Sequence, residues 1–374
     1  MTTPRFLQIH TLHSYTAALL NRDDTGLSKR LPYGDAVRTR ISSQCLKRHW
    51  RIADDPHALD RIDGAALSFR SRQLVSEMVI EPLKSRYPDE IVAALEPEFQ
   101  KAVYGDKGDK GKQSRQTLLF GAPELAFLAD EAEKLAAASA TAAAAQAAVS
   151  EWTKSFKANI KALREATALP GGLTSALFGR MVTSDPEANI DAPVHVAHAF
   201  TVHPEQAEGD YFTAVDDLAK EGDSGADTIQ ETELTSGLFY GYVVVDMRGL
   251  IDNCGKDRAL AAKVLHNLVY LIAEISPGAK LGSTAPYGRA ELMLLEAGDR
   301  QPRSLAGAYR EAQKNSLMVA ANALAKHLSD IDGIYATGEV RRYFSLANET
   351  LPDASPGTLK QLAEWAAEQL EGVE

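Results

Sequence analysis

The residues with the clearest capacity for chemistry lie between positions 21 and 51, where a loop rich in arginine and lysine leads into a helix. That helix is predicted over residues 41–53, with Ser42 and Ser43 as candidate N-caps. A helix N-terminus offers N–H groups and partial positive charge to an anion. The polar face of the helix carries these donors: Gln44, Lys47, Arg48 and Arg51. This pattern favours a segment that holds successive phosphates, and a solvated basic helix is the alternative.

Charge is distributed unevenly along the chain, whose formal total is −11. The first 51 residues contain nine Lys or Arg and three acids, a net of +6, and the remainder carries −17. Residues 205–235 contain ten acids and one lysine, a net of −9. Such segments indicate either an anion-binding patch with an acidic face elsewhere or complementary surfaces on neighbouring copies. An ordinary solvated surface is the third interpretation.

Length and composition define the class of protein. The chain has 374 residues, of which 45% are hydrophobic and 24% charged, so it is long enough for one large domain or two small ones and is not wholly disordered. No apolar run approaches the ~18 to 20 residues of a membrane span, and we expect no signal peptide and no membrane association. Two cysteines exclude a disulfide scaffold and a four-cysteine zinc site, which favours a cytoplasmic location.

Other candidates for catalysis or metal binding are weak. The sequence lacks the phosphate-loop, dinucleotide, nucleophile-elbow and zinc-protease motifs. Within a strand, His10 and His13 would point to opposite faces, and His198 would not share the face of His195 and His203. Adjacent acidic residues are more often solvated or paired with arginine than bound to a metal ion. The residues considered are His10, His13, His195, His198, His203, Asp23, Asp24, Asp216 and Asp217. Cys45 lies on the apolar stripe of its helix and is predicted to be a small core residue. We therefore predict no catalytic residue, metal or cofactor.

The elements that must position the basic segment follow from hydrophobic periodicity. Strands are predicted over residues 6–12, 194–203, 237–247 and 291–296. Helices are predicted over residues 41–53, 66–84, 89–104, 123–169, 257–275, 316–328 and 359–369, with a glycine-lysine loop at 106–115. Without the helical region at about 60–170, the order is a split βαββαβ unit, the ferredoxin-like topology that RNA-recognition sheets also use. The predicted fold class is α+β.

A set of longer motifs carries a family resemblance. It comprises FLQIHTL, LLNRDD, RTRISSQCLKRHWR, LFGRMVTSD, VAHAFTVH, DYFTAVDDL, SGLFYGY and SPGAK. In this order the chain resembles the CasC-type backbone subunit of type I-E CRISPR Cascade complexes, least clearly in its alanine-rich helical region. The resemblance implies a ferredoxin-like (modified RRM) palm, a helical fingers insertion and a β-hairpin thumb. The implied ranges are palm 1–58, fingers 59–180, a palm strand 181–203, an acidic thumb 204–235 and the second part of the palm with C-terminal helices 236–374.

The resemblance also implies a function and a set of RNA contacts. Such subunits are non-catalytic; they polymerise head to tail along the CRISPR guide RNA, with other Cascade subunits, and present it for pairing with target DNA. The implied guide-backbone contacts are Arg22, Lys29, Ser42, Ser43, Gln44, Lys47, Arg48 and Arg51. Met181 and Thr183 are implied on the fingers, and Phe212 and Thr213 on the thumb. Met181 and Phe212 would flank a displaced base, because stacking tolerates any base; a core position is the alternative, which the sequence favours for Met181.

Two further functions and two further surfaces remain open. A metal-dependent ribonuclease of the type III backbone kind would use Asp23 or Asp24, and a generic single-strand RNA-binding protein would need no CRISPR complex. The acidic thumb of one copy would lie near the basic segment of the next in a head-to-tail filament, a contact in which we expect Asp216 and Asp217 to take part. The loop at 106–115, together with Lys154, Lys157 and Lys161, is a candidate contact for DNA strands.

Overall fold

Runs of strands and runs of helices follow one another along the chain. The computed structural model describes residues 4–183, 185–215 and 226–373. The strands are β1 (Phe6–Ala18), β2 (Arg30–Tyr33), β3 (Ala36–Ile41), β4 (Ser68–Ser71), β5 (Leu118–Gly121), β6 (Val194–Val196), β7 (Ala199–Thr201), β8 (Ala207–Val215), β9 (Ala226–Asp246), β10 (Ala290–Gly298), β11 (Val340–Ser345) and β12 (Ala354–Pro356). The helices are α1 (Ser43–Arg51), α2 (Asp89–Tyr104), α3 (Ala122–Ala138), α4 (Ala142–Ala166), α5 (Gly172–Phe178), α6 (Met247–Asn253), α7 (Arg258–Glu274), α8 (Leu281–Thr284), α9 (Leu317–Tyr335) and α10 (Leu359–Glu368). A π-helix spans Val75–Ile80, and 3-10 turns span Leu59–Arg61, Glu81–Leu83, Lys112–Ser114, Pro186–Ala188 and Ala306–Tyr309.

The chain divides into two compact units. The first contains the described residues of Met1–Ala58, His195–Val245 and Ala262–Glu374. The second contains those of Leu59–Val194 and Asp246–Ala261. The first unit holds most of the strands, and the second holds the helices from α2 to α6. This is the mixed α+β architecture that the sequence predicts.

The main sheet runs in the order β12-β11-β10-β1-β9-β7-β3-β2, and β6 and β8 also pair with β9. β1 lies antiparallel to β10, with His10 opposite Leu294. β7 lies antiparallel to β9, with Phe200 opposite Tyr240. At the end of β3, Ile41 pairs with Ala199 of β7, and α1 begins two residues later. The sheet therefore fixes where the basic helix starts.

One face of the sheet in the first unit is packed by α9. Buried leucines of β1 and β10 contact buried residues of that helix, including Leu324 and Leu328. Within the sheet, the buried carboxylate of Glu296 accepts hydrogen bonds from Arg303 (Nη1, 2.7 Å), Arg341 (Nε, 2.7 Å) and His10 (Nε2, 2.9 Å). A buried charge needs such partners because its desolvation is otherwise too costly.

The second unit has its own helical core. Phe99 of α2 stacks on Trp152 of α4, with ring centroids 4.2 Å apart. The fully buried Glu124 of α3 accepts from Arg180 (Nη1, 2.6 Å) and Arg164 (Nε, 2.6 Å). These pairs join α3, α4 and the segment after α5 within the unit.

Four predicted elements differ in the structure. The loop predicted before the basic helix contains β2 and β3, which pair antiparallel with Arg30 opposite Thr39. The helix predicted over 66–84 is wrong at its start, because residues 68–71 pair as β4 with β5, and a π-helix follows. The single helix predicted over 123–169 is two helices, because Thr141 starts a new one by accepting a hydrogen bond from the amide of Ala144 (3.2 Å). The strand predicted over 194–203 is broken into β6 and β7. Among the described helices, none has the length and apolarity that crossing a bilayer requires.

Candidate nucleic-acid interface

Helix α1 is capped by its own sequence. Ser42 is the N-cap, and its hydroxyl accepts a hydrogen bond from the amide of Cys45 (3.3 Å). The amide of Ser42 donates to Oδ1 of Asn21 (2.8 Å). Ser42 and Ser43 are only 6% and 7% exposed. The two predicted serines therefore lie at the start of α1 as expected, and the hydroxyl of Ser42 already has a partner within the protein.

The two faces of α1 have different environments. Trp50 is buried, and Cys45 and Leu46 pack against the cluster that contains Ile41. Gln44 and Arg48 are exposed on the other side. Cys45 is half-buried against this apolar cluster, so it lies on the apolar side as predicted but is not fully in the core. Lys47 is half-buried, as is Arg51, the last residue of the helix.

The loop before β2 returns next to the beginning of α1. The amide of Lys29 donates to the carbonyl of Asn21 (3.0 Å), and the amide of Arg40 donates to the carbonyl of Lys29 (2.7 Å). Since Asn21 also binds the N-cap, these bonds bring Lys29 and Arg40 close to α1. Lys29 was predicted from the sequence, and Arg40 was not.

Electrostatics show that these cations act together on one histidine. The pKa of His198 is lowered from its ordinary value, first by burial and then by the positive charges of Arg40, Lys29 and Lys47. Charges that act on one group lie near each other. His198 therefore lies among cations from the loop, β3 and α1.

The thiol of Cys45 is also within range of these positive charges. Burial raises its pKa, and the charges of Arg48 and Lys29 oppose that rise. The charge of Lys29 therefore acts on both His198 and Cys45, so Lys29 lies near the cations around each of them. We call the following residues the basic cluster: Lys29, Arg40, Lys47 and Arg48.

Arg22 lies in a different charge environment. It lines a groove with Arg30 and the base of the β8–β9 pair. Arg30 pairs there with Glu205 and Glu233 (Nη2–Oε2, 2.7 Å), and Glu233 also accepts from the amide of Ser28 (2.9 Å). The carboxylates of the groove are Glu205, Glu208, Glu231 and Glu233. Arg22 is therefore surrounded by negative charge, unlike the basic cluster.

Asp23 braces its own loop. Its Oδ1 accepts from Thr25 (Oγ1, 2.8 Å; amide, 2.9 Å) and from the amide of Leu27 (3.1 Å). These hydrogen bonds, led by that from the Thr25 hydroxyl, lower the pKa of Asp23. Asp24 is exposed, and Asp216 and Asp217 lie outside the described residues. Within the described ranges, no three His, Cys, Asp or Glu side chains are grouped to hold a metal ion.

Phe212 is an exposed aromatic residue on β8, with 40% of its surface accessible. The ammonium of Lys280 lies 4.8 Å from the centroid of its ring and donates to Oγ1 of Thr232 (2.8 Å). A cation over an aromatic face is attracted by the ring quadrupole. Thr213 follows on β8, with its backbone opposite Ile229, and its side chain is not described. Lys280, in the SPGAK motif, holds the predicted base-contacting ring and was not among the predicted site residues.

Met181 and Thr183 lie in the second unit. Met181 is 73% exposed, which is unusual for methionine, so the alternative that it is a core residue is wrong. Its backbone is held on both sides, because Arg180 exchanges hydrogen bonds with Ile190 (2.9 Å each) and the amide of Val182 donates to Asn189 (2.7 Å). Thr183 is exposed. It lines a groove of the same unit that also contains four lysines: Lys101, Lys107, Lys154 and Lys157.

Comparison with known proteins places the chain in a family. A family model described as "CT1975-like protein", Cas_CT1975, matches residues 7–368. The chain belongs to the CT1975-like protein family. A solved chain titled "CRISPR RNA-guided surveillance complex, pre-nicking" is similar to this CT1975-like protein with a TM-score of 0.75 and 25% identity, over 97% of this chain and 100% of that one. A second, titled "CRISPR RNA-guided surveillance complex", shares the fold (TM-score 0.60, 21% identity, 97% and 99% coverage). No curated protein matches significantly.

The resemblance to Cascade subunits that the motifs indicate is therefore confirmed at the level of family and fold. In this CT1975-like protein, the first unit presents the basic cluster and an exposed, cation-held aromatic ring. The second unit presents an exposed thioether. Cations attract phosphates, and an aromatic face or a thioether contacts bases of any sequence. Each unit, taken by itself, therefore carries side chains whose chemistry suits contact with single-stranded nucleic acid.

Proposed function

We propose that this chain is the guide-RNA-binding backbone subunit of a CRISPR RNA-guided surveillance complex, of the type I-E Cascade kind. Its role is structural and not catalytic. Copies polymerise head to tail along the guide RNA in the cytoplasm, with other subunits of the complex, and present the guide for base pairing with target DNA in antiviral defence. The observation that carries the proposal is the basic cluster beside α1, on a chain whose family match spans residues 7–368.

The strand order supports a ferredoxin-like palm, a modified RRM. Its four central strands are β10-β1-β9-β7, which in chain order are the fourth, first, third and second of the set. α1 follows the first of them, and α7 connects the third to the fourth. This is the connectivity of a split βαββαβ unit. On this proposal the second unit contains the fingers, and the β8–β9 pair is the thumb.

The basic cluster would hold the guide by its phosphates. Lysine and arginine neutralise successive phosphates and release counterions, whatever the base sequence. The exposed amide of Gln44 adds a hydrogen-bond donor, and Arg51 extends the positive charge to the end of α1. Sequence recognition is then left to base pairing between guide and target, as in other RNA-guided systems. Arg22 stays a predicted contact, but it would have to bind phosphate against the repulsion of the carboxylates in its groove.

Phe212 and Met181 would contact bases that leave the stack. Stacking on an aromatic side chain contributes ~1 to 3 kcal/mol per base and tolerates any base. Both side chains are exposed, so neither must leave a core to reach RNA. Thr213, which directly follows Phe212, and Thr183, two residues after Met181, would add hydroxyl contacts. A displaced base at each copy would divide the guide into segments that pair with DNA.

Charge favours a head-to-tail filament. The exposed acids Glu208 and Asp210 lie on the proposed thumb, and the basic cluster lies beside α1. A contact between different surfaces of identical copies does not close on itself and yields an open filament. The acidic thumb of one copy would lie near the basic segment of the next, and the RNA would set the filament length.

Native mass spectrometry on guide RNAs of two lengths tests this proposal. We expect the number of bound copies to rise in proportion to RNA length, and the RNA to stay intact when magnesium is present. One bound copy on both RNAs would contradict polymerisation. Magnesium-dependent cleavage that is lost in Asp24→Ala would instead support a ribonuclease.

A further inference from the structure

His198 lies between β6 and β7, beside the first residue of α1. Two groups point at its Nδ1: the amide nitrogen of Ser43 at 3.1 Å and Nη1 of Arg40 at 3.3 Å. A backbone amide and a guanidinium can only donate hydrogen bonds. Nδ1 must therefore accept, and in the neutral ring the proton lies on Nε2. The surroundings thus fix both the tautomer and the orientation of the ring.

The ring presents a neutral donor among positive charges. His198 is exposed, and its neighbours are Arg40, Lys29 and Lys47. Partial desolvation and these three charges lower its pKa, which favours the neutral ring. A polyanion held by the cations would have its oxygens close to an oriented N–H group. Such a group contributes a hydrogen bond without releasing a counterion.

We infer that His198 is a further RNA-binding residue, whose Nε2–H donates to a backbone oxygen of the RNA held by the basic cluster. The inference rests on the proposed function and adds a contact to the same site. The acceptor is an oxygen of the sugar-phosphate backbone, either a phosphate oxygen or a 2′-hydroxyl. The sequence could not indicate this, because the role depends on the break between β6 and β7 and on the two donors that converge on Nδ1.

A purely structural role would require only the bond between His198 and Ser43. Two substitutions separate the roles. In His198→Asn, the amide oxygen occupies the approximate position of Nδ1, so the bond to Ser43 is kept and the outer donor is lost. In His198→Gln, the amide nitrogen reaches the approximate position of Nε2, so the outer donor is kept. His327→Asn on α9 is the control, since it makes the same substitution at a half-buried imidazole elsewhere in the same unit.

Fluorescence anisotropy with a short single-stranded RNA, over a range of salt concentrations, is the test. We expect His198→Asn to bind about fivefold more weakly, as for the loss of one hydrogen bond. The slope of log affinity against log salt stays that of the wild type, because no cation is removed. His198→Gln should keep more of the affinity than His198→Asn, and His327→Asn should bind as the wild type does.

Two results would overturn the inference: wild-type affinity in His198→Asn, or a reduced salt slope, which would mean that His198 acts only through the cations. If His198→Asn does not fold in a thermal melt, the ring ¹⁵N resonances of the wild-type protein decide. RNA must shift Nε2 of His198, and no shift overturns the inference. A strand of 2′-deoxy residues identifies the acceptor, because a penalty for His198→Asn that disappears on this strand indicates the 2′-hydroxyl and one that persists indicates phosphate. Failure of the wild type to bind RNA would contradict the proposed function itself.

Discussion

The basic cluster makes a quantitative prediction about salt. The double variant Lys29→Gln, Arg48→Gln removes two of its four cations. The charges of both residues act on the thiol of Cys45, so the two side chains lie near each other. Arg48 is exposed and Lys29 half-buried, so neither substitution disturbs a fully buried contact.

The magnitude follows from counterion release. Each phosphate contact on a single strand contributes about 0.7 to the slope of log affinity against log salt. Loss of two contacts therefore lowers the slope by about 1.4. When salt rises from about 50 to about 200 mM, wild-type affinity should fall about sevenfold more than that of the variant.

The assay is anisotropy of a labelled single-stranded RNA, titrated with protein at four or five salt concentrations. The charge-matched control is Lys326→Gln, Lys84→Gln, which removes two exposed lysines whose partners are Asp330 and Glu81. We expect the control to keep the wild-type slope. An equal reduction of slope in both variants, or none in Lys29→Gln, Arg48→Gln, would refute the assignment of the basic cluster as the phosphate-binding surface.

Three further predictions concern single residues. Lys280→Met should weaken RNA binding by about 0.5 to 2 kcal/mol, and a double-mutant cycle with Phe212→Leu should show coupling between the two sites, because the cation holds the ring. Arg180→Met leaves Glu124 with less compensation for its buried charge and should lower the unfolding free energy by about 3 to 5 kcal/mol in urea melts. The pKa of His13 is lowered to about 4 from 6.5, chiefly by burial, so protonation favours the unfolded chain. The contribution of neutral His13 to the unfolding free energy should therefore be fully present above pH 6.5. The unfolding free energy should fall by up to about 3 kcal/mol toward pH 4, and His13→Gln should reduce this fall.

Each of these has a result that would contradict it. Additive effects of Lys280→Met and Phe212→Leu would mean that the ammonium does not hold the ring. Lys154→Met is the comparison, because it breaks the exposed pair with Glu151. If Arg180→Met lost no more unfolding free energy than Lys154→Met, the charge of Glu124 would be adequately compensated without Arg180. If the unfolding free energy of the wild type and of His13→Gln depended equally on pH, another group would be responsible for that dependence.

Local chemistry allowed much of the interface to be predicted. Helix α1 and its cap follow from the serines and the apolar stripe that includes Cys45, since both signals lie within one stretch of chain. Contacts of Lys29 and Phe212 with RNA were predicted from the family resemblance, and Phe212 lies within one of its motifs. The position of the helix and its cap is confirmed, because both depend on neighbours along the chain, and contact of Lys29 and Phe212 with RNA stays a prediction.

The rest depends on contacts between distant segments. Arg40, His198 and Lys280 have no local signal, because their roles arise from the pairing of β3 with β7 and from the approach of the SPGAK loop to the β8–β9 pair. The periodicity of residues 66–84 indicates a helix, but pairing with β5 turns four of them into a strand. The acidic environment of Arg22 could not be predicted either, because the glutamates of its groove come from near position 205 and from β8 and β9.

Nuclease footprinting of a CRISPR-repeat-containing RNA, with magnesium present and protein added in steps, tests the central claim most directly. If copies of the chain coat a guide, protection should extend in regular steps as protein is added, with one more accessible or displaced base at each step and no cleavage by the protein itself. Cuts at regular intervals that require magnesium would contradict the non-catalytic role. Protection of a single fixed segment at all protein concentrations would contradict the filament.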